Sequence, residues 1–239
     1  MAEYPTQKAI AYSRIIHLSH IIHPQIPQWP GDPAVELEKV ADIDPDGYYL
    51  RRFSLGEHSA THINAPNSFF PNSPGIDAYP AESLVVPAVA INIVNLAAKN
   101  PDYLLTLDDV FSWEETYGII PPETVVLLYT GWQEKWANPD EFINQKLNQQ
   151  HFPGFGAEAT KFLLDERQIA GVGIDTHGVD SGQYMTFATN KQVLSRQGIV
   201  LENLTNLDQL PPVGTTLAIG ILRLENGSGS PAGVMAFIP

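Results

Sequence analysis

The sequence predicts a mixed α/β (α+β) domain, a mixed β-sheet carrying few helices. Runs rich in β-branched and aromatic residues recur along the chain, most of them bounded by Gly, Pro, Asn or Asp, and read as strands. Only three segments read as helix. With Pro 20 and Gly 18 in 239 residues, the chain has more turns and short connections than a helical bundle uses.

The chain opens strand on strand, with Arg14–Leu18, Ala34–Val40 and Tyr49–Leu55. Leu84–Leu96 and Thr124–Thr130 are apolar runs suited to buried strands. Between them, Leu107–Tyr117 reads as a helix, because Thr106-x-x-Asp109 is a capping-box pattern with a shorter acid and Gly118 follows the last turn. Ala157–Gln168 follows the breaker pair Pro153-Gly154 and sets Phe162, Leu163 and Leu164 against a charged side, so it is the second helix. Ile169–Thr176 is a strand. Ala188–Gln197 is the third helix, with Gly198 as its expected left-handed cap. Ile199–Leu204, Thr216–Leu224 and Val234–Ile238 close the chain as strands. There is no internal repeat, low-complexity tract or linker, and residues 1–239 read as one domain. A core of this size buries about three quarters of the unfolded surface and needs neither disulfide nor structural metal to fold.

Lys+Arg 13 against Asp+Glu 27 leaves a formal charge of -14, spread along the chain. Nucleic acid and anionic membranes reward cationic patches, so neither is expected as a partner. The absence of cysteine excludes disulfides, thiolate zinc sites and a Cys nucleophile. Any transition metal must be held by His, Asp, Glu or neutral oxygens. The first twenty residues lack a basic segment followed by an apolar run, and no stretch approaches the roughly 20 apolar residues of a membrane span. A cytoplasmic location is expected.

The most unusual local composition is Glu57-His58-Ser59-Ala60-Thr61-His62-Ile63-Asn64-Ala65-Pro66-Asn67-Ser68-Phe69-Phe70. If extended up to Pro66, it would project His58, His62 and Asn64 from one face. A helix would also make His58 and His62 neighbours, although Pro66 and the Thr/Ile content oppose a long one. Either conformation lets two imidazoles converge on one cation. The spacing alone is a modest signal, since paired histidines also serve as surface or core residues.

This segment resembles the signature of the kynurenine formamidase/cyclase family of metal-dependent hydrolases, His-x-Gly-Thr-His-x-Asp-x-Pro-x-His. The resemblance extends over nearly the whole chain. Ile15–Pro33 is similar to the family's opening strand and Trp-Pro-Gly-Asp turn, and Val125–Trp132 to its strand ending in Thr-Gly-Trp. Phe152–Gly154, Gly173–Thr176, Leu201–Leu210 and Gly229-Ser230-Pro231 resemble its later landmarks. The resemblance implies a swivelling β/β/α domain, dimeric or larger, with a mono- or dinuclear zinc or manganese site that hydrolyses a small amide, formamide or lactam. It places His58 and His62 on the two histidine ligands and Glu202 on the late glutamate ligand, with Thr61 and Pro66 in support.

The chain also departs from the pattern. Ala60 stands where glycine is usual, Asn64 where an aspartate bridges two metals, and Ser68 where a histidine transfers protons. Asn190 falls on a further histidine ligand, and His177-Gly178 replaces Pro-Ser. A neutral Asn64 cannot bridge two dications, and the carboxamide of Asn190 is a weaker donor than imidazole. One divalent ion is therefore expected, zinc or manganese, held by His58, His62, Asn64 and Glu202, or lost altogether. Their single negative charge leaves a bound ion acidifying but loosely held. The candidate catalytic residues are Ser68, His177 and Glu202. A serine hydroxyl is no general base near neutral pH, so proton transfer falls to His177 or Glu202. His177 at a strand end can serve as ligand or base, or simply hydrogen-bond a loop carbonyl.

Trp29, Phe69 and Phe70 flank the expected pocket and are candidate contacts for an aromatic substrate, with core packing as the other reading. Trp132 and Trp136 are read as packed within the domain. Asp175 and Asp180 are read as loop anchors, His17, His20 and His23 as hydrogen-bonding or surface residues, and His151, beside a Pro-Gly turn, as exposed. The Gly227-Ser228-Gly229-Ser230 run precedes no helix and is no phosphate cradle. The chain is thus expected to be a metal-dependent, arylformamidase-like hydrolase acting on C–N bonds of a small amide, formamide or lactam, or on a lactone. Its partners would be a small-molecule substrate and a second copy of itself. The alternative is a catalytically silent member that binds a ligand or protein through the same pocket.

Overall fold

A computed structural model of the chain describes residues 9–239, and the leader reading falls partly on residues 1–8, outside the described ones. Seven strands close a barrel in the order Gly229–Ile238, Thr215–Ile221, Val85–Asn92, Val125–Tyr129, Gly171–Ile174, Ile199–Glu202 and His62–Asn64. The last pairs back onto the first through Asn64 and Gly229. The four strands from Val85 to Glu202 in that order run parallel, and the remaining pairings are antiparallel. Arg14–His17 adds antiparallel to the far half of Gly229–Ile238. The sheet is mixed, as the sequence predicts.

The parallel strands are apolar on both faces because both faces are covered. Val125 and Leu127 point into the barrel with Ile63, Leu201, Leu217 and Val234. Val126, Leu128, Val172 and Val200 point outward, beneath Val110, Trp113, Leu163 and Val193 of the three main helices.

Those helices are Leu107–Tyr117, Ala157–Glu166 and Ala188–Leu194. The first has the predicted capping box: the Asp109 N–H donates to the Thr106 hydroxyl while the Asp109 carboxylate accepts from the Thr106 N–H. The third ends differently from expectation. Its left-handed residue is Gln197, with φ +54°, and Gly198 N–H then donates to Val193 O. Leu84–Leu96 also divides, into the strand Val85–Asn92 and a short helix Val94–Ala97, because Asn92 Oδ1 accepts from Val94 N and turns the chain.

The segment around the histidines is not one extended strand. Only His62–Asn64 joins the barrel, and Ala60 before it adopts a left-handed φ of +54°. His58 therefore reaches the same place as His62 through a turn, not through strand alternation. Glu36–Ala41 and Leu50–Ser54 form a separate two-stranded ribbon whose Val40, Leu50 and Phe53 are exposed.

Candidate functional site

The short strand His62–Asn64 lies between Ile199–Glu202 and Gly229–Pro231, and this position assembles the site. His62 and Glu202 are register partners, as are Asn64 and Gly229. Glu202 is the last residue of its strand, so the site opens at the carboxyl ends of the parallel strands, beside the loop that follows Ile174.

Hydrogen-bond direction defines the chemistry of the two imidazoles. His62 Nδ1 lies 2.8 Å from Ala60 O, a group that can only accept, so Nδ1 carries the proton. His62 Nε2 then faces Glu202 Oε2 at 3.0 Å. At His58, Nε2 lies 2.9 Å from the Ser228 hydroxyl, which itself donates to the Glu57 carboxylate. His58 Nε2 is therefore the donor, and Nδ1 faces Asn64 Oδ1 at 2.8 Å. The Asn64 amide is fixed in that sense because its Nδ2 donates to Asn190 Oδ1, and Asn190 Nδ2 donates to Asp180 and Glu202.

With both imidazoles neutral, two nitrogen lone pairs thus face two oxygens. Each pair requires either an added proton or a cation. The proton is resisted at His58, where burial and the neighbouring His62 hold the imidazole below its usual range. A divalent ion would answer each pair in place of the proton. The outer hydrogen bonds, His62 to Ala60 O and His58 to Ser228, are also those that orient metal-binding histidines. The donor chemistry suits one divalent cation, and the atoms that could hold it are His58 Nδ1, His62 Nε2, Asn64 Oδ1 and Glu202 Oε2. Among the described residues, no three His, Cys, Asp or Glu side chains form such a cage by themselves.

Two local features position these groups. The left-handed turn at Ala60 aims its carbonyl at His62 Nδ1, and Asn203 Nδ2 shares that carbonyl. A Cβ at Gly229 would lie 2.8 Å from His58 Cε1, so only glycine lets the imidazole approach the strand this closely.

Burial raises the Glu202 carboxyl, but a protonated His62 beside it, through its hydrogen bond and its charge, together with Val179 N–H and Asn190 outweighs burial and brings it down to about 2. Burial, then His62, pushes His177 down to about 4. Its Nδ1 takes the Asn203 amide at 3.3 Å, which leaves the neutral ring's proton on Nε2. Burial raises Asp180.

The site opens into a cleft of about 260 Å³. Trp29, Phe69, Phe152 and Phe187 form its apolar wall, and Trp29 meets His177 edge-on at 5.4 Å. Asp32, Asp180 and Glu202 line it, with no Lys or Arg among the described lining residues.

His58, His62, Asn64, Ser68, Trp29, Phe69, His177 and Glu202 all border this cleft. Phe70 does not. The single turn Pro66–Ser68 sends Phe69 toward Phe187 and Phe70 to a different surface, beside Pro74 and Leu194. The Ser68 hydroxyl donates to Ser228 O. Asp175 is a fully buried anchor that accepts from Thr130 and Gln133, whereas Asp180 is both an anchor and a cleft residue. His20 stacks on Trp136 at 3.8 Å. His151 is not a free surface group but bonds Asp102 at 2.9 Å. Sequence reasoning missed Glu57 and Ser228, which orient His58. The Gly-Ser run was the only signal for Ser228, and Glu57 had only its place beside His58.

A family model described as putative cyclase matches residues 16–181. Isatin hydrolase of Roseibium aggregatum is 30% identical over 242 residues, covering 94% of this chain and 92% of the relative. Kynurenine formamidase of Geobacillus thermodenitrificans is 27% identical, covering 90% and 93%. Among solved structures, isatin hydrolase A from Ralstonia solanacearum superposes with a TM-score of 0.88 at 32% identity, covering 95% of this chain and 92% of that one. An isatin hydrolase bound to the product analogue thioisatinate gives 0.88 at 30% identity, covering 94% and 92%.

Proposed function

The chain belongs to the putative cyclase family, and we propose that it hydrolyses a small, uncharged aromatic cyclic amide with the help of one divalent cation. The observation that carries this reading is the pair of facing contacts, His58 Nδ1 with Asn64 Oδ1 and His62 Nε2 with Glu202 Oε2. The names of its relatives, an isatin hydrolase and a kynurenine formamidase, support the reaction class.

A divalent ion at these four atoms supplies Lewis acidity and an activated water. The chain's own residues supply the rest. Trp29 and Phe69 offer flat faces to an aromatic ring. Glu202, at about 2, stays ionised throughout the neutral range and keeps its charge on the cation position. His177, at about 4, stays neutral and forms a wall beside Trp29. Both are weak bases, so the reading assigns them to holding and orienting. The path His58–Ser228–Glu57 leads from the site to a half-buried carboxylate that orients the His58 ring. Water attack on a lactam carbonyl breaks the ring C–N bond and yields an amine and a carboxylate. Among the described lining residues no cationic side chain retains that product anion, and Asp32 and Asp180 favour its departure.

The test is turnover of isatin and of N-formylkynurenine by protein stripped with chelator and then reloaded with manganese or zinc. Metal-dependent opening of the neutral lactam supports the reading. A folded, metal-loaded protein inert toward amides, lactams and lactones favours the second reading, a silent member that binds a ligand in the same cleft. The observation behind that second reading is Ser68, whose hydroxyl is committed to Ser228 O.

The expected homodimer or larger assembly is supported by the ribbon Glu36–Ala41/Leu50–Ser54, because an uncovered two-stranded sheet is marginal by itself and Val40, Leu50 and Phe53 lie exposed. Light scattering of purified protein gives its mass directly, and a monomer would contradict it. Among the described residues no helix is long and apolar enough to cross a membrane.

A further inference from the structure

We infer that Phe187 determines which rings the cleft admits: its side chain closes the cleft beside Phe69, so that a compact planar ring enters and a ring carrying a second bulky group does not. The inference deepens the reading above, and rests on it for the ring's being a substrate.

The backbone at Phe187 is the first observation. The residue precedes the helix Ala188–Leu194 with φ +52° and ψ +46°, in the left-handed region. That region suits glycine and asparagine and is costly for a bulky side chain. Phe187 is also the N-cap of this helix, where Ser, Thr, Asp or Asn would supply an oxygen, and it makes no side-chain capping bond. Capping falls instead to Asp180, whose carboxylate accepts from Thr189 N at 2.7 Å and from Asn190 N at 3.1 Å. Nothing in the local fold calls for phenylalanine at this position.

The second observation is where the strained residue places its ring. Phe187 lines the cleft, and its ring centroid lies 5.4 Å from that of Phe69 with the planes tilted by 44°. The backbone that carries the ring is fixed on both sides. Phe187 O accepts from Lys191 N at 2.9 Å, Phe187 N donates to Tyr184 O at 3.3 Å, and Lys191 Nζ donates to Thr186 O at 2.8 Å. The cleft measures about 260 Å³, below the range of about 300–1,000 Å³ typical of sites for drug-sized ligands. In so small a space, one ring of the wall decides what fits. A simpler account makes Phe187 a cover for Phe69, which adds stability and no selectivity. The two accounts differ in what a smaller side chain does to the ratio of two substrates.

The experiment sets isatin in competition with isatin carrying a phenyl group on its benzo ring, on manganese-loaded wild type, Phe187→Ala, Phe187→Gly and Phe187→Tyr. Wild type should favour isatin, both truncations should reduce that preference about tenfold, and Phe187→Tyr should keep it. Folding is checked by circular dichroism, and if the alanine variant does not fold, glycine and tyrosine decide. An unchanged preference in folded truncations overturns the proposal, as do rates for both compounds that fall together, or wild type without a preference. A loss of preference in Phe187→Ala alone also overturns it, because glycine relieves the left-handed backbone and alanine does not, so strain and not the missing ring would be responsible. Wild type that opens neither compound contradicts the hydrolytic reading, and the ratio of the two dissociation constants, measured by calorimetry on the same proteins, then decides the role of Phe187. A ratio that the truncations leave unchanged, or no binding of either compound, overturns it.

Discussion

His62 Nε2 lies 3.0 Å from Glu202 Oε2, and the two residues are register partners on neighbouring antiparallel strands although 140 positions separate them. The contact is nearly excluded from water, with side-chain exposures of 3% and 7%. His62 Nδ1–H donates to Ala60 O, so the contact between Nε2 and Glu202 needs an added proton or a cation.

His62→Ala should abolish stabilisation by metal. In wild type, manganese or zinc at a hundredfold excess over its dissociation constant should add about 2.7 kcal/mol. The comparison is thermal melting with and without metal, and an equal upward shift in the variant would count against the donor set.

Stability of the metal-free protein should fall as pH drops from about 6.5 toward 4. His177, and likewise His20, is lowered to about 4 in the fold. Below the ordinary histidine range the unfolded chain therefore binds more protons than the native one, and stability decreases with falling pH. Asp175, raised by burial to about 6, works in the opposite direction over part of this window. Below it, Glu202, held at about 2, loses its contribution as pH falls toward that value. Denaturant titrations across the range measure the slope, and His177→Gln should flatten it above pH 4.

Gly229→Ala should displace His58, because the added carbon would lie 2.8 Å from Cε1 of the ring and 2.8 Å from Ile63 O. Overpacking of this kind costs about 1–3 kcal/mol. Disturbing a ligand's orientation typically costs about 10–100-fold in metal affinity. Calorimetry on the folded variant reads the second effect separately from the first.

Substrate charge should matter. With Asp32 at the cleft and no Lys or Arg in the described lining, an aromatic amide bearing a carboxylate should react more slowly than its neutral counterpart. Asp32→Asn should narrow the gap by a factor of about 5, the scale of one partly screened charge. Competition between matched substrates gives the ratio directly, and a gap unchanged by the substitution would remove Asp32 from specificity.

The barrel strands were legible because their apolar, β-branched runs are buried on both faces, and the helix Leu107–Tyr117 because its cap is written in Thr106 and Asp109. His58 and His62 stood out by composition, and Glu202 only through the resemblance. Closure of the barrel was not legible, since His62–Asn64 is a three-residue strand whose two neighbours lie far along the chain. What closure brings together was hidden with it: Ser228 and Glu57 behind His58, and Asn190 between Asp180 and Glu202. Phe69 and Phe70 looked equivalent in sequence, and only the turn at Pro66–Ser68 separates them.

The most direct test is a crystal soaked in manganese, with anomalous difference density collected near the manganese edge. A single peak within bonding distance of His58 Nδ1, His62 Nε2, Asn64 Oδ1 and Glu202 Oε2 is the expected result. No peak there, in crystals in which both histidines carry two protons at neutral pH, would contradict the account.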